Sequence, residues 1–320
     1  MAFEFKLRRT PMLLALYLAF SIGSGAGQVS HEFHRTFTVS LVEPVSLQVG
    51  LLEGDLHIAY ARDGQLSITV TANPTSDDLE FLKGYLVIAQ SGNHLQVSDR
   101  PGPAGRKVRL TYKIDVPYRT EVHSFVQRGK QTIAGIMGPV TAEGGVGDIE
   151  VSYISLGANA HVRTGNLSFE VVGGRIEAGT GEGKIACERA PLGIGADTED
   201  GDIFLAVVGP STAIVKSGNG RIDVAGARGN LFASTNAGDL HIKAVPHDDW
   251  QLSSTSGNIR IELPADAKFD LSASTGSGAL VVNRDDLTKP APNAHEFEAR
   301  VHGGGKHIAV TSEYGKVVIG

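Results

Sequence analysis

A glycine recurs along this chain at a nearly constant interval, and that interval limits the fold more than any other feature. The glycines Gly129, Gly147, Gly165, Gly183, Gly201, Gly220, Gly238, Gly257 and Gly278 lie 18 or 19 residues apart until a last step of 21. Each heads a segment that alternates variable and apolar residues: 149–151 (IEV), 167–169 (LSF), 185–187 (IAC), 203–205 (IFL), 222–224 (IDV), 240–242 (LHI), 259–261 (IRI) and 280–282 (LVV). A further copy, headed by Gly315, follows two periods later, and only the copy after Gly129 is degenerate. Alternation with period two buries one face of a strand, so the second and fourth residues after each glycine point inward. A second short strand precedes each glycine. Three residues before the glycine stand Val162, Thr180, Thr198, Ser217, Thr235, Ser254, Thr275 and Ser312. Hydroxyls stacked in this way are expected to bond along the stack and to satisfy backbone groups at the turns.

A coil of 18–19 residues is too short for a strand, a helix and their turns, but it accommodates two or three short strands. Stacked copies pair each strand with its equivalent about 4.8 Å away and bury a continuous aliphatic column. The pattern therefore predicts an all-β parallel β-solenoid, with right-handed crossover as the default. Left-handed hexapeptide helices need an aliphatic at every sixth residue, which this chain lacks. Ile203, Ile222 and Leu240 should be neighbours in successive layers. The 40 glycines and the scarcity of aromatic residues suit many tight turns.

Upstream, the pattern loosens. Gly54 heads one copy of the unit, Asp63-Gly64 marks a hairpin turn, and Gly92 heads residues 92–97 (GNHLQV). Residues 76–84 (SDDLEFLKG) read as one short helix, with Ser76 as N-cap and Gly84 as the stop. Residues 28–122 are expected to form an irregular β module that caps the stack, and residues 123–320 the solenoid. Bare strand edges aggregate, so an end cover is needed. Residues 1–27 have the order of a secretory leader: Lys6, Arg8 and Arg9, then an apolar run from Met12 to Ile22, then small residues. That run is short of the ~20 residues a membrane span requires, so no stable membrane insertion is expected after cleavage. Removing the leader takes the formal charge from −6 to about −8. An acidic chain without a basic block argues against nucleic acid as a partner.

Several segments resemble a known family, the adhesin-like β-strand-repeat domains of bacteria, whose function is not known. Residues 33–58 resemble its entry and 114–117 (IDVP) its first strand into the repeats, while 261–278 and 303–319 resemble its closing rungs. The resemblance implies an exported all-β domain at the cell envelope and brings no catalytic residue with it. This chain departs from the family's Gly-Asp or Gly-Asn turns by placing Lys184, Arg221, Ala279 and Lys316 after the glycine in several copies.

That slot bears on metal binding. Residues 197–207 (DTEDGDIFLAV) look like a calcium loop, yet the equivalents of Asp202 include Lys184 and Arg221. Glu199, Asp200 and Asp202 therefore read as a turn, and no metal or cofactor is expected. Cys187 occupies an inward slot as a small core residue. His31 and His34 make too small a ligand set for zinc. The 302–307 stretch (HGGGKH) reads as the wide turn before the last rung. The outward residues Asp223, His241 and Arg260 fall on consecutive rungs and form the one acid–imidazole–cation row, the candidate outer-face binding cluster. The alternative is a polysaccharide-active β-helix enzyme, a lyase or hydrolase, built on that row. It is set aside because no sugar-stacking aromatics line the column. The expected function is a non-catalytic, adhesin-like binding or scaffolding module at the cell envelope, periplasmic or extracellular. Its expected partner is an envelope protein, a glycan, or a second copy docked end to end through an open last rung at Gly320.

Overall fold

The computed structural model describes residues 20–22, 31–72, 85–100, 110–291 and 293–320. Every element in them is a strand. The strands form two sheets, of 15 and 14, with the core between them. Strands that follow the repeat glycines build the larger sheet, and those that precede them build the smaller one. Through the repeats both ladders are parallel and in register, with Ile203 beside Ile222 and Ile222 beside Leu240. All three side chains are fully buried. Each such aliphatic contributes about 1.5–3 kcal/mol by leaving water, so the stack is held along its length by one unbroken column. The all-β solenoid expected from the repeat is what the chain forms.

The corners explain the glycines. Gly147, Gly165 and Gly183 have φ of +140°, +152° and +146°, a region that L side chains seldom enter. A Cβ on any of these glycines would overlap the carbonyl oxygen of the glycine in the adjoining layer. From Gly165 onward the hydroxyl column bonds such glycine carbonyls: Thr180 Oγ1 donates to Gly165 O at 2.9 Å, Ser217 Oγ to Gly201 O at 2.9 Å, and Ser312 Oγ to Gly257 O at 3.1 Å. The degenerate copy keeps its place by another route. Buried Gln131 accepts from Ser124 Oγ at 2.7 Å and donates to Glu143 O at 2.7 Å, so its amide is satisfied inside the stack.

At both ends, the layers do not stack in chain order. The C-terminal rung, Lys306–Ser312 with Val317–Ile319, lies between Trp250–Ser254 with Ile259–Glu262 on one side and Phe269–Thr275 with Leu280–Val282 on the other. The glycine column follows this spatial order: Gly315 abuts Gly257, and Gly278 abuts Gly315. The same occurs at the other end, where Val45–Leu51 and Asp55–Tyr60 are inserted between Thr120–Arg128 with Gln131–Ala134 and His94–Asp99 with Leu110–Val116. The last rung in sequence is therefore an interior layer. The outermost layer at that end is Phe269–Val282, and Glu296–Val301 pairs antiparallel on its Phe269–Thr275 strand. This corrects the expectation of an open rung at Gly320.

The two sheets run without a break across residue 122, which falls inside the strand Thr120–Arg128. The short helix expected over 76–84 falls outside the described residues. Phe20–Ile22, within the expected leader, pairs antiparallel with His31–Phe37. Among the described residues, no helix is long and apolar enough to cross a membrane.

Candidate binding trough on the outer face

Two outward columns meet on the larger sheet. The first runs Ser168, Ala186, Phe204, Asp223, His241, Arg260, in register from layer to layer. The second stands two residues further along each strand and includes Glu170, Glu188, Ala206, Ala225, Lys243 and Glu262. Four small side chains, Ser168, Ala186, Ala206 and Ala225, leave a hollow of about 530 Å³ in the middle of this grid. Phe204 stands in it with 38% of its surface exposed. Glu170 and Glu188 border one end; Asp223, His241 and Lys243 border the other. A second hollow of about 500 Å³ shares Lys243 and continues toward Arg228 and His247.

Asp223, His241 and Arg260 do fall in a row, as the repeat implies. The sequence reading missed what closes the row. His241 Nδ1 lies 3.1 Å from Asp223 Oδ1, and its Nε2 lies 3.3 Å from Glu262 Oε1. Arg260 Nε donates to the same Glu262 oxygen at 2.8 Å, and Arg221 donates to Asp223 at 2.7 Å. Glu262 is thus the joint between His241 and Arg260. Arg260, hydrogen-bonded to it, holds the Glu262 carboxyl below its usual range, with burial opposing and His241 adding to the effect. A carboxylate kept ionised in this way accepts hydrogen bonds and does not serve as a general acid near neutrality. Because Glu262 sits two residues after Arg260 on one strand, the side-chain period of two was the signal that could have found it. Arg260 itself turns along the strand and does not line the hollow. Phe204, which the repeat also places in this outward column, is exposed there.

The other candidates are occupied by structural roles. Asp202 Oδ1 accepts the Arg221 backbone N–H at 3.0 Å, and its other oxygen lies 3.5 Å from Lys184 Nζ. The same slot repeats the device: Asp148 holds the Asn166 N–H, Asn166 the Lys184 N–H, and Asp239 the Asn258 N–H. The acidic and amide residues after the glycines thus tie each turn to the turn above. Among the described residues, no group of three or more His, Cys, Asp or Glu is placed to hold a metal. Cys187 lies in the core between Phe169 and Leu205, where burial pushes its thiol up to about 12. His34 bonds Thr69 at 2.9 Å, and the His31 side chain lies outside the described residues. His302 and His307 are separated, one on Ala267 O at 3.1 Å and the other on Ser272 Oγ at 3.0 Å. Arg284, which sequence reasoning did not single out, is buried at the C-terminal end. It donates to the carbonyls of Leu263, Pro264 and Ala265 and makes two hydrogen bonds to Asp286.

A family profile described as Toastrack DUF4097 matches residues 140–319, which span the repeats and the inserted C-terminal rung. The chain belongs to that family. The match bears out the resemblance carried by the glycine units and the closing rungs. Among curated proteins, none matches. Similar solved structures include a provisionally named adhesin of Bacteroides fragilis (12% identity, 90% of this chain and 96% of that one, TM-score 0.33). Two proteins of Parabacteroides distasonis are also similar. One, provisionally named a lipid-binding protein, shares 12% identity over 92% of this chain and 98% of its own, with TM-score 0.40. The other, provisionally named an adhesin, shares 11% identity over 90% and 96%, with TM-score 0.41. At these scores the likenesses decide nothing about the Toastrack chain's ligand.

Proposed function

We propose that this Toastrack protein is a non-catalytic, exported binding module of the cell envelope, adhesin-like in the sense of presenting a rigid outer face to a partner. One observation carries the reading. The charged groups of the row are engaged with one another, Arg221 with Asp223 and Arg260 with Glu262, and His241 stands between the two carboxylates, bonded to Asp223 through Nδ1 while its Nε2 lies 3.3 Å from Glu262 without a hydrogen bond, beside a hollow floored by small side chains. A catalytic row keeps a base or acid free to meet substrate; a recognition surface only needs a shape that stays put. The parallel ladders beneath supply that rigidity. Export follows from the leader-like order of residues 1–27, with the periplasm or the medium as destination. The partner is an envelope glycan or protein. Self-association end to end is tested separately, by light scattering at several concentrations.

Co-sedimentation of the purified protein with envelope fragments tests the reading. Retention is expected to fall at least fivefold in Ala186→Arg, which fills the hollow from its floor. It should persist in Gln251→Arg on the opposite sheet. The rival is a polysaccharide lyase or hydrolase, so the same preparations are screened on acidic and neutral polysaccharides. Turnover that disappears in Asp223→Ala overturns the binding reading.

A further inference from the structure

The geometry points to a linear, uncharged glycan as the occupant of the Phe204 trough, lying along the solenoid axis across the layers headed by Gly165 to Gly238. This inference rests on the binding reading and names its ligand class. The strands under the trough are paired on both sides, so they offer no main-chain edge to an added strand. An occupant is therefore held by side chains alone. The central one is Phe204, an exposed aromatic side chain between Ala186 and Asp223 in its column, the apolar surface in the hollow against which a flat C–H face can pack.

The groups around the ring are of both signs. Glu170 and Glu188 have no cation at ion-pair distance among the described residues, and Glu170 already accepts the Tyr153 hydroxyl. Lys243, at the far end, is 71% exposed and loosely paired, 3.9 Å from Glu262. A hydroxyl is the group that serves both ends, donating to a carboxylate and accepting from an ammonium. A polyanionic chain would bring like charge against Glu170 and Glu188 and is disfavoured there. The trough spans five layers, or about 19 Å, which suits a chain of several rings better than one sugar. The Ser168 hydroxyl and the Asp223 oxygen not shared with His241 supply further polar contacts along that length.

Titration calorimetry with cellohexaose, N-acetylated chitohexaose and hexagalacturonate tests the inference on the intact protein. At least one neutral hexasaccharide is expected to bind, at least tenfold more tightly than hexagalacturonate and more tightly than its own trimer. Phe204→Ser should weaken it about tenfold, Phe204→Tyr should restore it, and Phe232→Ser on the other sheet should leave it unchanged. Circular dichroism confirms that each variant is folded. Failure of both neutral hexasaccharides at millimolar concentration, preference for the uronate, or indifference to Phe204→Ser overturns the glycan. If Ala186→Arg still abolishes envelope retention in that case, the binding module stands and the ligand is a protein. If retention is also indifferent to Ala186→Arg, both readings fall together.

Discussion

Replacing Gly183 by alanine probes the corner on which the stack depends. Gly183 has φ +146°, and its missing Cβ would overlap the carbonyl oxygen of Gly165. That oxygen already receives the Thr180 hydroxyl at 2.9 Å, so it is held from a second side. Two costs add. Holding a side chain in this backbone region costs about 1–3 kcal/mol, and forcing the layers apart costs about 1–3 kcal/mol more. The total of about 4 kcal/mol is a large part of the ~5–15 kcal/mol that keeps a domain folded. Gly50 supplies the control. It sits inside the strand Val45–Leu51, with no positive φ and nothing within 4 Å of a Cβ built on it. There alanine narrows the unfolded ensemble and is expected to stabilise by about 0.4–1 kcal/mol. Urea unfolding followed by circular dichroism measures both variants against the parent. If Gly183→Ala falls within about 1 kcal/mol of the parent, close approach of layers is not the reason for the recurring glycine, and the stacking geometry derived from it is wrong.

Arg284→Lys should cost about 3 kcal/mol or more in the same assay, because an ammonium cannot span three carbonyls and Asp286 as the guanidinium does. Asp286 is held below the usual carboxylate range by Arg284, with His302 a smaller contributor. Its folded pKa is depressed, so the stability it contributes is present above about pH 4 and is lost as pH falls through the folded value. The drop in urea midpoint between pH 7 and pH 3 should shrink in Asp286→Asn; an unchanged drop refutes the pair's role. Asp99 works in the opposite sense, since burial raises it. Cys187 should resist iodoacetamide in the native protein and react only when urea unfolds it, because its thiol is buried and its pKa is raised to about 12. Rapid native labelling refutes the core placement.

Much of this architecture is legible in the chain itself. The glycine interval, the alternation after it and the hydroxyl three residues before it are local patterns. Local chemistry suffices to say that Ile203 and Leu205 point inward, that Gly201 turns the chain and that Asp202 serves that turn. Asp223, His241 and Arg260 were placed in a row by counting alone. Counting also places Phe204 outward; what it did not reveal was Glu262, whose importance comes from reaching sideways to His241, and the hollow that small neighbours open around Phe204.

The order of the layers belongs to the tertiary structure. A rung of this repeat offers nearly the same hydrogen bonds and the same aliphatic faces to any other rung, so the period says that copies stack but not which copy lies beside which. The rungs at 45–60 and 306–319 are seated between layers distant in sequence because the connections at each end bypass one layer and leave a place for them. Specificity there comes from non-repeating contacts, such as Arg284 on the carbonyls of 263–265 and Glu296–Val301 on Phe269–Thr275. The sequence by itself determined the coil; long-range packing at the two ends decided how the coils close.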